Sequence, residues 1–149
     1  MDTPDFALRG AGDVEPRFVR DLRDVDARVE RNGEVSYRWR DGGEAFRDRG
    51  PEIAFRDTTD ASIAAGLELA RAKWGNEVTI HGSADFKDRT LRLAVERGIH
   101  VNNSELQNRQ RELMVQRERT RSQEKFEPLH ERSRDRGVER EGRDIGWGR

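Results

Sequence analysis

The sequence predicts an α/β fold, in which a β-hairpin is followed by a β-α-β-α-β unit with a small mixed sheet and then a long C-terminal helix. Two alternating segments flank a glycine turn, two later segments show helical apolar spacing, and short strand-like runs separate those helices. Because strands that alternate with helices are usually parallel with right-handed crossovers, we expect three parallel strands extended by the hairpin.

The hairpin is predicted by alternation and turn chemistry. Residues 34–39 alternate polar and apolar side chains, with Val35, Tyr37 and Trp39 on one face. Asp41-Gly42-Gly43 supplies residues that tolerate a positive φ, and residues 44–48 form the return strand. A turn at Arg49-Gly50-Pro51 then leads into a third strand over 53–56.

Capping residues mark the two helices that follow. Asp57-Thr58-Thr59-Asp60 precedes a helix that runs to about Trp74, and Gly75 ends it. After a strand over 77–81, Ser83 begins a second helix, which Gly98 ends before a short strand over 99–101. Residues 104–125 are rich in helix-forming side chains and predict the C-terminal helix.

The flanks add charge and few apolar residues. We expect a compact domain over residues 33–102, a polar segment over 1–32, a charged helix over 103–126 and a disordered tail over 127–149. Within the first segment, residues 16–31 predict either a short helix, from apolar residues near helical spacing, or a linker.

Composition excludes several classes of protein. Of 149 residues, 32% are hydrophobic and 40% are charged, so a core fills only part of the chain. Lys+Arg is 29 and Asp+Glu is 30, which leaves no overall basic field for nucleic acid. The absence of cysteine removes disulfides and thiolate metal sites. No apolar run is long enough to span a membrane, and the N-terminal residues do not resemble a secretory signal peptide. We therefore expect a cytoplasmic protein without membrane contact.

The most site-like feature is the strand-to-helix loop at residues 81–87. Such a loop presents free amides at the positive end of a helix, so Gly82, Ser83 and Lys87 are candidate anion or phosphate ligands. One glycine is neither a P-loop nor a dinucleotide fingerprint, and a tight turn with a serine cap explains the same residues.

The hairpin carries the best argument for nucleic acid. Arg38, Arg40, Arg47 and Arg49 lie beside Tyr37, Trp39 and Phe46, a combination that stacks on bases and contacts phosphates. Acidic residues are interleaved with these arginines, so a half-buried hairpin with a charged solvent face is the competing interpretation.

No arrangement in the sequence predicts catalysis or a metal. Asp57, Asp60 and Asp85 follow strand ends and could converge on magnesium, but capping explains the first two. His81 and His100 lie near strand ends and could approach each other, yet no metal-binding spacing and no catalytic triad is present. We therefore expect no catalytic residues, no metal and no cofactor, and we do not predict an enzyme.

Five motifs in this order resemble a known family, the large polyvalent-protein-associated domain of the seventh type. They are AFRDRG (45–50), DTTD (57–60), AxxKWG (70–75), HGSADFK (81–87) and GIHVNNSEL (98–106). Such domains are similar to modules fused to relaxases and other large proteins of plasmids, conjugative elements and phages. The resemblance implies partners among relaxases or other DNA-transfer proteins, with DNA as a further candidate. It supplies no residue roles, and this chain shows no relaxase histidine triad, with Tyr37 as its sole tyrosine.

These observations lead to one functional hypothesis and two alternatives. We expect a non-enzymatic accessory module of a mobile genetic element, which acts in conjugative DNA transfer through protein or DNA-backbone contacts. The first alternative is a small phosphate- or nucleotide-handling enzyme that uses the 81–87 loop. The second is a protein translocated by a secretion system.

Overall fold

The computed structural model describes residues 5–135, with side chains described as far as Ser122. The strands are β1 (Ala7–Arg9), β2 (Val25–Val29), β3 (Val35–Trp39), β4 (Glu44–Asp48), β5 (Glu52–Phe55), β6 (Glu77–His81) and β7 (His100–Val101). The helices are α1 (Asp60–Trp74), α2 (Ala84–Glu96) and α3 (Gln107–Asp135). The described residues up to Arg111 belong to one compact unit, and the described residues from Glu112 to Asp135 belong to a second.

The seven strands form one mixed sheet in the order β2-β3-β4-β5-β1-β6-β7. The predicted fold class, with its hairpin, its mixed sheet and its long last helix, is confirmed. β5, β6 and β7 share one direction, as expected for three parallel strands, but the N-terminal strand β1 lies between β5 and β6 and is antiparallel to both. β5 and β6 therefore share a direction without touching, and β6 with β7 is the one parallel pair among the described strands.

The predicted helix over 16–31 is also wrong. β2 occupies Val25–Val29 and pairs with all of β3, across a turn in which the Gly33 amide donates to the Glu30 carbonyl. Gly33 has a φ of 90°, a conformation that glycine adopts without a side-chain clash. The first 32 residues thus contribute two strands to the sheet. Alternation of polar and apolar residues does not reveal these two strands in the sequence, because β1 has only three residues and β2 is exposed at its outer end.

The C-terminal helix is longer than expected. α3 continues to Asp135 and includes residues that were assigned to a disordered tail from 127 onward. The rest of that predicted tail, 136–149, lies outside the described residues. A 3-10 turn over Ser104–Leu106 precedes α3. In the described part of the chain, no helix is long and apolar enough to cross a membrane.

Both α1 and α2 pack on one face of the sheet. A row of rings lines this face, with Tyr37 stacked on Phe46, Phe46 against Phe55, and Phe55 against Phe86 of α2. α1 approaches so closely at Gly66 that an added Cβ would lie 2.3 Å from the Phe55 ring. The sheet therefore has a core face, covered by the two helices, and an opposite face. Side chains that alternate with the core residues along each strand lie on this opposite face.

Candidate functional site

The 81–87 loop has the geometry of a capped helix start. The Phe86 amide donates to Ser83 Oγ at 3.1 Å, and the Lys87 amide donates to the Ser83 carbonyl. A Cβ on Gly82 would lie 2.6 Å from the Phe86 ring, so close packing explains this glycine. The Phe86 amide, one of the free first-turn amides that an anion would need, is thus already bonded within the chain.

Lys87 has a partner within the compact unit. Its Nζ lies 2.9 Å from Glu105 Oε2, which also accepts a hydrogen bond from the Asn103 side-chain amide. Asn103 is clamped to β6, because its Oδ1 accepts from the Ile80 amide and its Nδ2 donates to the Ile80 carbonyl, each at 2.8 Å. The side-chain bond from Asn103 and that from Lys87 lower the pKa of Glu105 from 4.5 to about 2.

This carboxylate predicts a defined loss of stability in acid. Since the pKa of Glu105 is lower in the folded state, its contribution is present above about pH 4.5 and is lost as the pH falls towards 2. We expect Glu105→Gln to lower the urea midpoint at pH 6 and to approach wild type near pH 2. Urea unfolding at several pH values measures this, with the exposed Glu96→Gln as the control. A difference that stays constant with pH would contradict the assignment.

The remaining acidic and histidine candidates for a metal site lie far apart or already form hydrogen bonds and ion pairs within the chain. Asp57 Oδ2 accepts from Trp39 Nε1 at 2.7 Å, and Arg89 lies between Asp60 and Asp85, at 3.1 and 3.2 Å. No group of three or more potential metal ligands occurs among the described residues. The expectation that His81 and His100 approach each other is wrong, because His100 pairs with Glu77 at the opposite end of β6.

The sheet face opposite the helices carries the hairpin arginines. We call it the helix-free face, and it presents Arg9, Arg38, Arg47, Arg56 and their neighbours. A continuous chain of ion pairs crosses it in the order Arg9, Glu52, Arg49, Glu34, Arg47, Glu44 and Arg56. Its contacts range from 2.9 Å for Arg47 with Glu44 to 3.8 Å for Arg56 with Glu44. A shallow concavity of about 700 Å³ lies over this chain.

The other predicted nucleic-acid residues are placed differently. Arg38 lies opposite Asp26 and Glu44 in the strand register, and Arg40 extends to 3.8 Å from Asp26. The suggestion that the hairpin aromatics stack on bases is wrong for Tyr37 and Phe46, which are fully buried on the core face. The arginines and the rings alternate along the strands, so the pleat places them on opposite faces of the sheet.

Sequence reasoning missed the most buried polar contact, which joins β4 to α1. Lys73 Nζ lies 3.1 Å from Asp48 Oδ1, and both side chains are fully buried. Asp48 also accepts from the Arg17 and Gly50 amides, and Lys73 donates to the Glu15 carbonyl. These contacts fix the segment before β2 against the core. The signal was available in the sequence, since Lys73 falls three residues after the buried-stripe position Ala70 on α1, and Asp48 falls two residues after Phe46 on β4.

Four of the five motifs that carry the family resemblance therefore meet in pairs. AFRDRG and AxxKWG meet through Asp48 and Lys73, whereas HGSADFK and GIHVNNSEL meet through Lys87 and Glu105. Each pair joins a strand or turn to a neighbouring helix or turn. These contacts have a structural role, because the ion pairs and the Asn103 hydrogen bonds fix the relative positions of the strands, helices and turns that they join.

The fold and these contacts define a small mixed α/β module with a charged, open sheet face. Residues 23–114, more than half of the chain, match the family described as Large polyvalent protein-associated domain 7, and the chain belongs to that family. It is also similar to two Escherichia coli proteins, each named Protein TraI. One is 26% identical over 134 residues, which cover 88% of this chain and 18% of the relative.

The second Protein TraI is 28% identical over 90 residues, which cover 60% of this chain and 11% of that relative. The chain thus spans less than a fifth of the length of either relative. No solved structure matches the chain significantly.

Proposed function

We propose that this chain is a non-enzymatic docking module in conjugative DNA transfer, and that its helix-free face binds a relaxase or another DNA-transfer protein. The family and the two relatives named Protein TraI support the association with conjugation. The observation that carries the docking role is the chain of ion pairs on an open sheet face. It presents charges of both signs in fixed positions, without a helix of the compact unit above them.

The ion-pair chain favours a protein partner over a phosphate backbone. It contains four arginines and three glutamates, so its charges nearly cancel. A phosphate would have to separate an arginine from a glutamate that already accepts from it, as Glu44 does from Arg47 at 2.9 Å. A protein surface with alternating charges matches both signs at once and gains specificity from that match.

DNA titration distinguishes the two kinds of partner. We expect no saturable binding of labelled single-stranded or duplex oligonucleotides at micromolar protein, measured by anisotropy at two salt concentrations. Binding that weakens steeply with salt, and that Arg38→Ala and Arg40→Ala reduce, would overturn the protein-docking proposal. It would assign the helix-free face to the DNA backbone instead.

A mating assay tests the docking surface itself. Arg56→Glu reverses an exposed charge at one end of the ion-pair chain, where its only described ion pair is 3.8 Å long. We expect transfer of the element that encodes this chain to fall roughly tenfold, because the reversal places like charges in the interface. Arg92→Glu, a similarly exposed reversal on α2, is the matched control. Equal transfer by both variants, with folding checked by circular dichroism, would contradict the proposal.

The phosphate-handling alternative remains a prediction with its own test. Thermal unfolding with millimolar magnesium and nucleotide should leave the midpoint unchanged if the 81–87 loop is a capped turn, since a ligand that binds the folded state raises the midpoint. A clear rise that Ser83→Ala or Lys87→Ala removes would return the function to this loop.

A further inference from the structure

A groove on the helix side of the sheet lies between α1 and residues 18–24, a segment that we call the charged loop. The groove has a volume of about 660 Å³. Its apolar lining consists of Val19, Leu22, Trp39, Ala61, Ala64 and Ala65. Phe18, which precedes this lining in the charged loop, is 46% exposed. An exposed apolar surface with a polar rim is typical of a site that binds another protein.

The charged loop carries four exposed side chains that form no ion pair or hydrogen bond with another described residue. They are Arg20, Asp21, Arg23 and Asp24. The only described contact of these side chains places Arg20 over the Phe18 ring at 5.9 Å. By contrast, the groove residues Glu68 and Arg97 pair with each other at 3.5 Å. The charges of the loop are therefore available to a partner, whereas those at the helices are already matched.

The order of charges in the loop is complementary to its own reverse. The loop reads Arg20-Asp21-Leu22-Arg23-Asp24. In two copies related by a two-fold axis at Leu22, Arg20 of each copy lies opposite Asp24 of the other, and Asp21 lies opposite Arg23. Each of these opposite-charge pairs occurs twice, so the symmetric contact matches all four charges of both loops.

Neighbouring positions of the axis lose this match. An axis between Asp21 and Leu22 places Arg20 opposite Arg23, and an axis between Leu22 and Arg23 places Asp21 opposite Asp24. An axis at Asp21 or at Arg23 sets that residue against the same residue of the other copy. Because like charges across an interface suppress association, the axis at Leu22 is favoured over these alternatives.

We propose that two copies of this chain associate about a two-fold axis at Leu22, with the charged loop of each copy in the groove of the other. The arrangement is symmetric, because each loop then lies between α1 and the charged loop of the other copy. Phe18 and Val19 supply apolar surface for the alanines of α1. Leu22 stays in its own core, where it is 8% exposed. The helix-free face takes no part, so this association is independent of the docking role proposed above.

Charge exchange tests the pairing of the two charged loops. Sedimentation of the full chain at low salt, up to about millimolar protein, should show a monomer–dimer equilibrium. Asp21→Arg or Arg23→Asp alone should weaken it by roughly tenfold or more, because each reversal places like charges opposite each other at both symmetric positions. The double variant with Asp21→Arg and Arg23→Asp restores opposite charges and should recover the wild-type dimer. Arg92→Asp, an exposed reversal on α2, is the control for a general change in charge.

Filling the groove tests the site independently of charge. Ala61 is exposed and lines the groove, so Ala61→Trp should fill it without disturbing the core, and the dimer should be lost. Ala84→Trp, at an exposed alanine of α2 outside the groove lining, is the matched control. Circular dichroism and urea unfolding verify the fold of each variant. A wild-type chain that is monomeric throughout, a dimer that survives Ala61→Trp, or a charge exchange that fails to restore association would each overturn the proposal.

Discussion

Replacing Lys73 with alanine is expected to lower the free energy of unfolding by about 3–5 kcal/mol, because it leaves the Asp48 carboxylate buried without its countercharge. Both side chains are fully buried, and water cannot solvate the remaining charge. The variant also loses the bond from Lys73 to the Glu15 carbonyl, so the segment before β2 should become more accessible to protease.

Urea unfolding measures the first effect, and limited proteolysis measures the second. Lys87→Ala is the matched control, because it removes a lysine from a partly exposed pair and should cost less than about 1 kcal/mol. A combined Lys73→Met and Asp48→Leu variant, which removes both charges, should recover part of the loss. A Lys73→Ala cost similar to that of Lys87→Ala would show that the buried pair contributes little.

The second large effect is expected at Phe86, where alanine should cost about 3–5 kcal/mol. The ring is almost completely buried at the start of α2, with ring centres 5.0 Å from Phe6 and 5.7 Å from Phe55. Truncation would leave a cavity that rigid aromatic neighbours fill poorly. It would also free the backbone at Gly82, which packs against this ring.

Two comparisons isolate the packing contribution of Phe86. Phe86→Leu keeps most of the apolar volume and should cost less than about 1.5 kcal/mol. Phe18→Ala removes the same side chain from a site that is 46% exposed and should change stability by about 0.5 kcal/mol or less. Equal losses for Phe86→Ala and Phe86→Leu, measured by urea unfolding, would contradict a cavity as the cause.

The proposed docking role depends on the stability of these contacts. The helix-free face owes its fixed presentation of charge to a sheet whose other face is filled by the aromatic row and the two helices. The motifs of the family resemblance lie largely at these structural contacts, as Asp48 with Lys73 shows. Variation on the open face would then alter the partner without altering the fold.

The candidate site was predictable only in part. The serine cap at the 81–87 loop follows from residue type and position, since a hydroxyl before a helix bonds its free amides. The partner of Lys87 did not follow, because Glu105 lies 18 residues away and reaches it through the turn after β7. Arg47 and Arg49 were recognised as charged residues, but their shared partner Glu34 emerges only when β3 and β4 pair.

By itself, the sequence determined the local elements from β3 to α3 and the membership of the family, because alternation, capping residues and helical spacing are local properties. Only the tertiary structure decided where the first strand goes. β1 is too short to show a period, and its place between β5 and β6 depends on Leu8 being buried against both. The tertiary structure also decided which charges are buried and which are paired, because those properties depend on residues distant along the chain.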